Sequence, residues 1–284
     1  MNDFREAGNK NKDDNKAIIL GVGVNSTSAS TVLAKISSLC SENGHTKPYF
    51  IITAYSENIL ESNNDMQLAK AFENADIVVP DGISAVAARD YLKRRNGRIR
   101  DDLRLGFSVG WNILKGKYSG QKVMGVELTR KILRTGGEKG WRIFLLGGWK
   151  DVGEKLAGMM RRDFPKITIS GDPGPEHVGL GTDKELVRKI NDFGPDVLLV
   201  AFGRFKQEKW IAANLRLLNA RVVLGVGSSF DELTGTGPWA AATPRWVDRM
   251  GLKWLWRAVR NPGHLRRAWN AFPVFAWKVF RSRD

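Results

Sequence analysis

Ala75-Asp76-Ile77-Val78-Val79-Pro80-Asp81-Gly82 is a short hydrophobic run that stops at a proline and presents a carboxylate directly after it. An apolar run of this length between turn-forming residues predicts a buried β-strand. Asp81 would then stand at the carboxyl end of the strand, which in an open α/β sheet is the edge where ligands bind. The stretch therefore predicts an α/β protein with a carboxylate at its ligand-binding edge.

Similar apolar runs recur along the chain and alternate with segments that have helical periodicity. This alternation is typical of a Rossmann-like, mostly parallel sheet with helices on both faces. The predicted strands are 17–22, 49–53, 76–80, 141–146, 167–170, 197–202 and 222–224. The predicted helices are 30–42, 57–74, 83–95, 127–133, 151–162, 182–192 and 206–218.

Three regions differ in composition across the 284 residues. Residues 1–16 are polar and charged and predict a disordered tail. Residues 17–238 form the predicted α/β core, and residues 239–284 are expected to form a basic helical appendage. Residues 95–120 are basic and contain glycine, and no element is assigned to them.

The composition excludes several classes of protein. A single cysteine, Cys40, excludes a disulfide framework and a cysteine-based metal site. The three histidines are far apart in sequence, which argues against zinc. No apolar run reaches the roughly 20 residues that span a bilayer, and no secretory signal is visible. We therefore expect a cytoplasmic protein that uses neither a metal nor an organic cofactor.

Positive charge is concentrated near the C-terminus. The formal net charge is +15, and residues 245–284 contain ten Lys or Arg against two Asp, together with five of the ten tryptophans. Arg245, Arg249, Arg257 and Arg260 recur at helical spacing, so they would line one side of a helix. The tryptophans favour an interfacial helix on an anionic membrane surface that also binds a diphosphate. A solvated basic face is the alternative, and no motif supports nucleic acid.

Asp81 is the candidate catalytic residue. A carboxylate at a strand end can act as a general base toward a hydroxyl group. The same position also suits an N-cap for the following helix, so both roles stay open at this point. Thr53 and Tyr55 follow the preceding strand, where Thr53 could bind a substrate or belong to a plain strand-to-helix turn.

Further strand ends carry residues that suit a phosphorylated ligand. Gly147-Gly148 allows the backbone to approach a phosphate or sugar closely. Gln207 can bind a sugar or base edge from a helix N-terminus, where Glu208 can instead complement the helix dipole. Asp231 can bind ligand or cap a helix. Gly21-Val22-Gly23-Val24 lacks the third glycine of a dinucleotide fingerprint, so a Rossmann-type oxidoreductase is a weaker alternative.

Taken in order, these motifs resemble the WecG/TagA/CpsF glycosyltransferases (glycosyltransferase family 26). The resemblance covers residues 17–270 and rests on the order and spacing of eight motifs. They are Thr53, Pro80-Asp81-Gly82, Gly125-Val126-Glu127-Leu128, 144–148, 195–200, 203–208, 227–231 and 252–257.

The resemblance implies an inverting, metal-free transfer from a UDP-sugar to a polyprenyl-diphosphate-linked saccharide, in cell-envelope or exopolysaccharide synthesis. It places the protein peripherally on the inner face of the bacterial membrane, and a homo-oligomer is left open. Asp81 would deprotonate the acceptor hydroxyl. The predicted donor-binding residues are Thr53, Tyr55, Gly147, Gly148, Gln207, Glu208 and Asp231. The predicted diphosphate and lipid contacts are Arg204, Arg245, Arg249, Arg257 and Arg260.

Some positions depart from the family pattern. Tyr55 stands in place of an asparagine, Phe205 of a proline, Ala242 of an arginine and Lys253 of an acidic residue. The connection between Asp81 and Gly125 is also about twenty residues longer than a typical one. These departures predict a changed donor or acceptor, or reduced activity. They leave a non-catalytic relative that binds membrane or lipid-linked sugar as the alternative.

Overall fold

The computed structural model describes residues 16–42, 44, 47–118, 120–179, 181–238, 244, 247, 250, 256 and 269–282. The strands in these ranges are β1 (Lys16–Ile19), β2 (Val22–Asn25), β3 (Tyr49–Ala54), β4 (Ile77–Pro80), β5 (Arg142–Gly147), β6 (Thr168–Asp172), β7 (Val197–Ala201) and β8 (Val222–Gly225). The helices are α1 (Ala29–Ser41), α2 (Ser56–Ser62), α3 (Met66–Asn74), α4 (Ile83–Arg94), α5 (Ile99–Leu114), α6 (Gly125–Lys139), α7 (Val152–Asp163), α8 (Lys184–Phe193), α9 (Lys206–Asn214), α10 (Ser229–Thr234) and α11 (Phe275–Arg281). A π-helical turn, Asn270–Val274, precedes α11.

Six strands form one sheet in the order β4-β3-β8-β7-β5-β6. All of its pairings are parallel, which confirms the predicted α/β architecture. The strands are buried on both faces, so they appear in the sequence as continuous apolar runs rather than alternating patterns. Because all six strands run the same way, their carboxyl ends lie on one edge of the sheet, where ligands bind in such folds.

Helices cover both faces of the sheet, as predicted. Phe50, Phe144 and Leu198 face a core that includes side chains of α2, α3, α4, α8 and α9. Their sequence neighbours, such as Ile51 and Leu199, face a second core with α1, α6, α7 and α10. Successive side chains of a strand point to opposite faces, so one apolar run supplies both cores.

The predicted single strand 17–22 is wrong. The chain turns back at Leu20 and Gly21, which both have positive φ, and forms an antiparallel hairpin of β1 and β2 outside the main sheet. A two-residue left-handed turn is a common way to close such a hairpin. β2 packs beside β4, where Asn25 Oδ1 accepts a hydrogen bond of 3.0 Å from the N–H of Val78. The hairpin therefore covers an edge of the sheet that would otherwise be open.

The predicted helix 57–74 is two helices, α2 and α3. Asp65 causes the break, because its side chain accepts a hydrogen bond from the N–H of Leu68 as the N-cap of α3. Asp65 also forms an ion pair of 2.5 Å with Lys209, which holds α3 against α9. Met66, which the sequence pattern directs toward the core, is 86% exposed instead.

Residues 95–120 contain α5, a 16-residue helix that has no counterpart in the elements predicted from the sequence. Tyr118 Oη donates a hydrogen bond of 2.6 Å to Asp90, and Arg89 donates one of 3.3 Å to Gln121. Tyr118 and Gln121 follow α5, whereas Asp90 and Arg89 lie in α4, so these bonds hold the segment after α5 against α4. One face of α5 is buried against α4.

The predicted appendage is described mainly at its end, residues 269–282. Phe275 and Val279 of α11 are buried in the core that also contains Tyr91 of α4. Arg95 Nη1 donates a hydrogen bond of 2.5 Å to the carbonyl of Ser282. This last helix therefore packs on the α/β core. In the described part of the chain, no helix combines the length and the apolarity needed to cross a membrane.

Candidate active site

Asp81 lies at a corner of the sheet, directly after β4. Pro80 ends this strand, and its missing N–H is tolerated because β4 is the edge strand of the sheet. The N–H of Asp81 donates to the carbonyl of Ala54 at 2.7 Å, and the N–H of Val123 donates to the carbonyl of Pro80 at 2.9 Å. Gly82 then turns the chain with a φ of +101°, which a side chain would strain. Hydrogen bonds to the end of β3 and to the segment before α6 thus fix the backbone around Asp81.

Asp81 is not the N-cap of the helix that follows it. Gly82 occupies the N-cap position of α4, and no side chain caps the helix there. The N-cap position of α4 is thus one residue later than the sequence pattern suggests, and the role of Asp81 as a base stays a prediction.

The carboxylate of Asp81 and two hydroxyl groups lie around Gly125. A methyl group on the Cα of Gly125 would lie 3.6 Å from Asp81 Oδ2, 3.8 Å from Ser229 Oγ and 3.9 Å from Thr53 Oγ1. Gly125 is the first residue of α6, and the positive end of a helix dipole favours negative charge nearby. Ser229 is absent from the residues singled out in the sequence, although it lies inside the motif 227–231. Ser229 Oγ donates its hydrogen to the carbonyl of Val226 at 2.6 Å, so toward a ligand this hydroxyl serves as an acceptor. The group resembles a general base with two hydroxyl groups near it.

Asn58 fixes the turn that carries Thr53 and Tyr55. Its side chain is buried, with Oδ1 accepting a hydrogen bond of 2.9 Å from the N–H of Tyr55. Its Nδ2 donates a hydrogen bond of 3.4 Å to the carbonyl of Thr53. The sequence pattern does not single out Asn58, because an asparagine inside a helical segment gives no signal of this role.

Gln207 and Glu208 are buried at the start of α9. Gln207 Oε1 accepts a hydrogen bond of 2.9 Å from the N–H of Gly227, and its Nε2 donates one of 3.0 Å to Glu208 Oε1. A methyl group on Gly225 would lie 2.6 Å from Gln207 Nε2, so a glycine is needed beside it. Gln207 therefore ties the loop after β7 to the loop after β8.

Glu208 is an acid held away from water. Burial raises its pKa to about 7, and hydrogen bonds from backbone N–H groups and from Gln207 oppose that rise. Its Oε2 has no hydrogen-bond partner among the described residues. Since the side chain is only 2% exposed, it supports Gln207 in this arrangement, and its contact with a donor stays a prediction.

Gly147 and Gly148 form a tight turn after β5, with φ of +86° and +96°. The N–H of Gly148 donates to the carbonyl of Ala201 at 2.9 Å. A methyl group on Gly147 would lie 2.8 Å from Phe202, and one on Gly148 would lie 2.5 Å from Val152. Close packing explains both glycines, and their contact with a donor stays a prediction.

Asp231 and Arg204 complete the described part of the predicted set. Asp231 is buried in the first turn of α10, where a methyl group on Gly237 would lie 2.7 Å from its Oδ2. Arg204 is exposed and forms an ion pair of 2.6 Å with Glu57 at the start of α2. The remaining predicted cations lie outside the described residues; they are Arg245, Arg249, Arg257 and Arg260.

The predicted residues follow one another along the carboxyl edge of the sheet. In spatial order they are Asp81 after β4, Thr53 in β3, Asp231 after β8, Gln207 after β7 and Gly148 after β5. Neighbouring strands are about 4.8 Å apart, so the row extends over about 19 Å. Among the described residues, no three His, Cys, Asp or Glu side chains are placed to hold a metal.

A cavity of about 740 Å³ lies beside this row. Hydroxyl-rich residues 26–31 line it together with Arg89, Lys122 and Lys131. Met124 also lines the cavity and directly precedes Gly125, so the cavity and the Asp81 cluster share one segment of chain. Within the described part of the chain, none of the site residues predicted from sequence lines it. Its three basic side chains outnumber the one acidic side chain of the lining, Glu127, so the cavity has an excess of positive charge that would favour an anionic group.

Comparison with known proteins agrees with the motifs and the geometry. The sequence model of the Glycosyl transferase WecG/TagA/CpsF family matches residues 17–100 and 105–284. Relatives from the Staphylococcus aureus strains MRSA252, MW2 and NCTC 8325 / PS 47 are each 24% identical over 268 residues, covering 94% of this chain and 93% of their own. Each bears the name N-acetylglucosaminyldiphosphoundecaprenol N-acetyl-beta-D-mannosaminyltransferase. The chain, with its carboxylate corner and its row of motifs, belongs to the Glycosyl transferase WecG/TagA/CpsF family of enzymes.

Proposed function

We propose that the protein transfers a sugar, with inversion, from a UDP-sugar to a polyprenyl-diphosphate-linked saccharide during synthesis of a cell-envelope polymer or exopolysaccharide. The observation that carries this proposal is the cluster of Asp81, Thr53 and Ser229 around Gly125 at the carboxyl edge. The names of the relatives support a lipid-linked diphosphate sugar as the acceptor and N-acetylmannosamine as one candidate for the transferred sugar.

Asp81 acts as the base in this mechanism. Its carboxylate accepts the proton of the acceptor hydroxyl while the hydroxyl oxygen bonds to the anomeric carbon of the donor sugar. The bond from that carbon to the diphosphate oxygen breaks on the opposite face, so the anomeric configuration inverts and UDP departs. Thr53 and Ser229 supply the hydroxyl groups that orient the sugar beside the carboxylate.

The departing diphosphate needs positive charge near it, because negative charge develops on it as the bond to the sugar breaks. Lys122 is suited to this role, since it stands three residues before Gly125 and lines the neighbouring cavity with Arg89 and Lys131. Arg204 is the other described candidate, and its ion pair with Glu57 fixes it beside the turn that follows Thr53.

Gln207 contacts the donor from the loop between β7 and α9 in this proposal. Glu208 then acts through Gln207, because its carboxyl oxygen accepts from the Gln207 side chain and is itself buried. The basic, tryptophan-rich tail holds the protein on the anionic inner face of the membrane, where the lipid-linked acceptor is anchored.

The test is UDP release from a panel of UDP-sugars, with and without a polyprenyl-diphosphate saccharide. We expect acceptor-stimulated release in the wild type and a loss of about 10²–10⁴-fold in Asp81→Asn, the range for removal of a general base. Asp163→Asn is the matched control, because Asp163 is exposed at the far end of α7. Its activity should equal that of the wild type.

Two outcomes would contradict the proposal. Equal activity of Asp81→Asn and wild type would remove Asp81 as the base. Absence of release from every donor, in a folded protein that binds anionic vesicles, would favour the non-catalytic alternative that the departures at Tyr55 and Ala242 raise.

A further inference from the structure

Helix α5 carries a row of large apolar side chains that the core does not use. Ile99, Leu103, Phe107 and Trp111 follow one another at intervals of four residues and are 73%, 46%, 81% and 59% exposed. Residues four apart lie above one another on a helix, so the four form one stripe. Val109 and Ile113, which are buried, lie on another face, about 120° around the helix from the middle of this stripe, and α5 packs against α4. Packing within the described chain therefore accounts for one apolar face of α5 and leaves the other to solvent.

Basic residues border this stripe. Arg100 and Arg104 each follow a member of the stripe by one position, and both are exposed. Lys115 at the end of the helix lies over the ring of Trp111, 5.4 Å from its centroid. A tryptophan whose ring is covered by a lysine suits the boundary between lipid headgroups and acyl chains, because the ring enters the apolar layer and the ammonium group stays in water.

We propose that α5 is an interfacial helix that inserts Phe107 and Trp111 into an anionic lipid leaflet. An exposed apolar row on a basic amphipathic helix is the physical signature of such a surface. A second copy of the chain fits less well. A two-fold contact through the stripe would bring the rows formed by Arg100 and Arg104 close together, and like charges at a contact repel.

The position of α5 in the fold agrees with this role. Both α5 and α11 pack on α4, and Arg95 at the end of α4 binds the carbonyl of Ser282 just after α11. α11 presents the exposed Trp277 and belongs to the basic tail already proposed to contact membrane. The family match leaves out residues 101–104 inside α5 and includes Phe107 and Trp111.

The inference deepens the proposed membrane association, but its test needs no sugar transfer. Full-length protein is sedimented with vesicles of phosphatidylglycerol and phosphatidylcholine, and with vesicles of phosphatidylcholine alone. We expect Phe107→Ser and Trp111→Ser each to lower partitioning onto anionic vesicles by about tenfold, since each removes a large apolar side chain from the bilayer. Arg100→Gln should lower it by about fivefold, only on anionic vesicles.

Met66→Ser is the matched control, because Met66 is 86% exposed but lies on α3. Its partitioning should equal that of the wild type. Sedimentation without lipid, and transfer to a short-chain, water-soluble acceptor, should be unchanged in the α5 variants. These readouts separate loss of membrane contact from misfolding and from failure of the proposed reaction.

A local probe gives an independent readout. Burial raises the pKa of the Cys40 thiol to about 12, so this thiol reacts slowly with a label, and Cys40→Ala removes it altogether. An environment-sensitive fluorophore on Phe107→Cys should shift to the blue with anionic vesicles, while the same label on Met66→Cys should not. Unchanged vesicle binding in the α5 variants, a label at position 107 that stays in water, or a change of oligomeric mass without a change in vesicle binding would each overturn the inference.

Discussion

Glu208 makes the stability of this protein depend on pH in a direction that can be calculated. Its pKa is about 7 in the folded protein and 4.5 in the unfolded chain, because folding buries the carboxyl group. The folded state therefore holds one more proton than the unfolded state between these two values. Under that condition the free energy of unfolding falls as the pH rises. The stabilisation that neutral Glu208 gives to the folded state, relative to its charged form, is complete below pH 4.5 and is lost above pH 7.

The magnitude follows from the shift. One pKa unit corresponds to about 1.4 kcal/mol, so the loss between pH 4 and pH 8 is about 3 kcal/mol. Glu208→Gln removes the titration while it keeps the side-chain length and an oxygen that can accept from Gln207. The free energy of unfolding of the variant, relative to wild type, should therefore rise by about 3 kcal/mol from pH 4 to pH 8.

The assay is urea unfolding at half-unit pH steps, with the free energy extrapolated to water. Glu185→Gln is the matched control, because Glu185 also lies in the first turn of a helix, α8, but is exposed. Glu185→Gln removes a favourable interaction with the helix dipole but no buried titrating group. Its effect on the free energy of unfolding should therefore stay below about 1 kcal/mol across the pH range. A Glu208→Gln difference that does not change with pH would refute the reasoning.

Three glycine substitutions test the geometry of the site. Gly125→Ala places its methyl group at ordinary contact distance from Asp81, Thr53 and Ser229. The free energy of unfolding should therefore change by less than about 0.5 kcal/mol, while UDP release falls at least tenfold. Unaltered kinetics would show that this cluster takes no part in the reaction. Gly225→Ala places a methyl group 2.6 Å from Gln207 Nε2. The free energy of unfolding measured in urea should therefore fall by about 1–3 kcal/mol. An unchanged urea midpoint would show that Gln207 can move aside. Gly82→Ala requires a residue with a side chain to adopt a φ of +101°. This should lower the free energy of unfolding by about 1–2 kcal/mol and reduce sugar transfer, because the turn that carries Asp81 shifts. Wild-type stability and activity together would argue against a constrained turn.

The main sheet could be predicted from the sequence because of its parallel geometry. Strands such as β5 and β7 are covered on both faces, so each appears as an apolar run that little else in the chain resembles. The same geometry places the candidate site residues at one edge. Once the strands are parallel, residues as distant in sequence as Thr53, Asp81 and Gln207 must share one edge of the sheet.

Other features depend on contacts that a sequence pattern does not contain. The break between α2 and α3 depends on Asp65, whose ion pair with Lys209 joins residues 144 positions apart. The hairpin of β1 and β2 has the same apolar content as a single strand, and only the left-handed turn at Leu20 and Gly21 distinguishes it. Helix α5 is apolar on two faces, which obscures the single stripe by which an amphipathic helix is recognised.

The short connections around α4 link the candidate base to the proposed membrane surface. Asp81 stands two residues before α4 begins, and α5 packs on this same helix. Helix α4 has twelve residues and is therefore about 18 Å long, which indicates the order of the distance between Asp81 and the proposed membrane surface. A polyprenyl-diphosphate acceptor needs its sugar hydroxyl within reach of the base while its lipid stays in the bilayer. Insertion of Phe107 and Trp111 would fix the distance of Asp81 from the bilayer surface. Loss of the α5 contact should therefore weaken transfer to a membrane-embedded acceptor and leave transfer to a soluble acceptor intact.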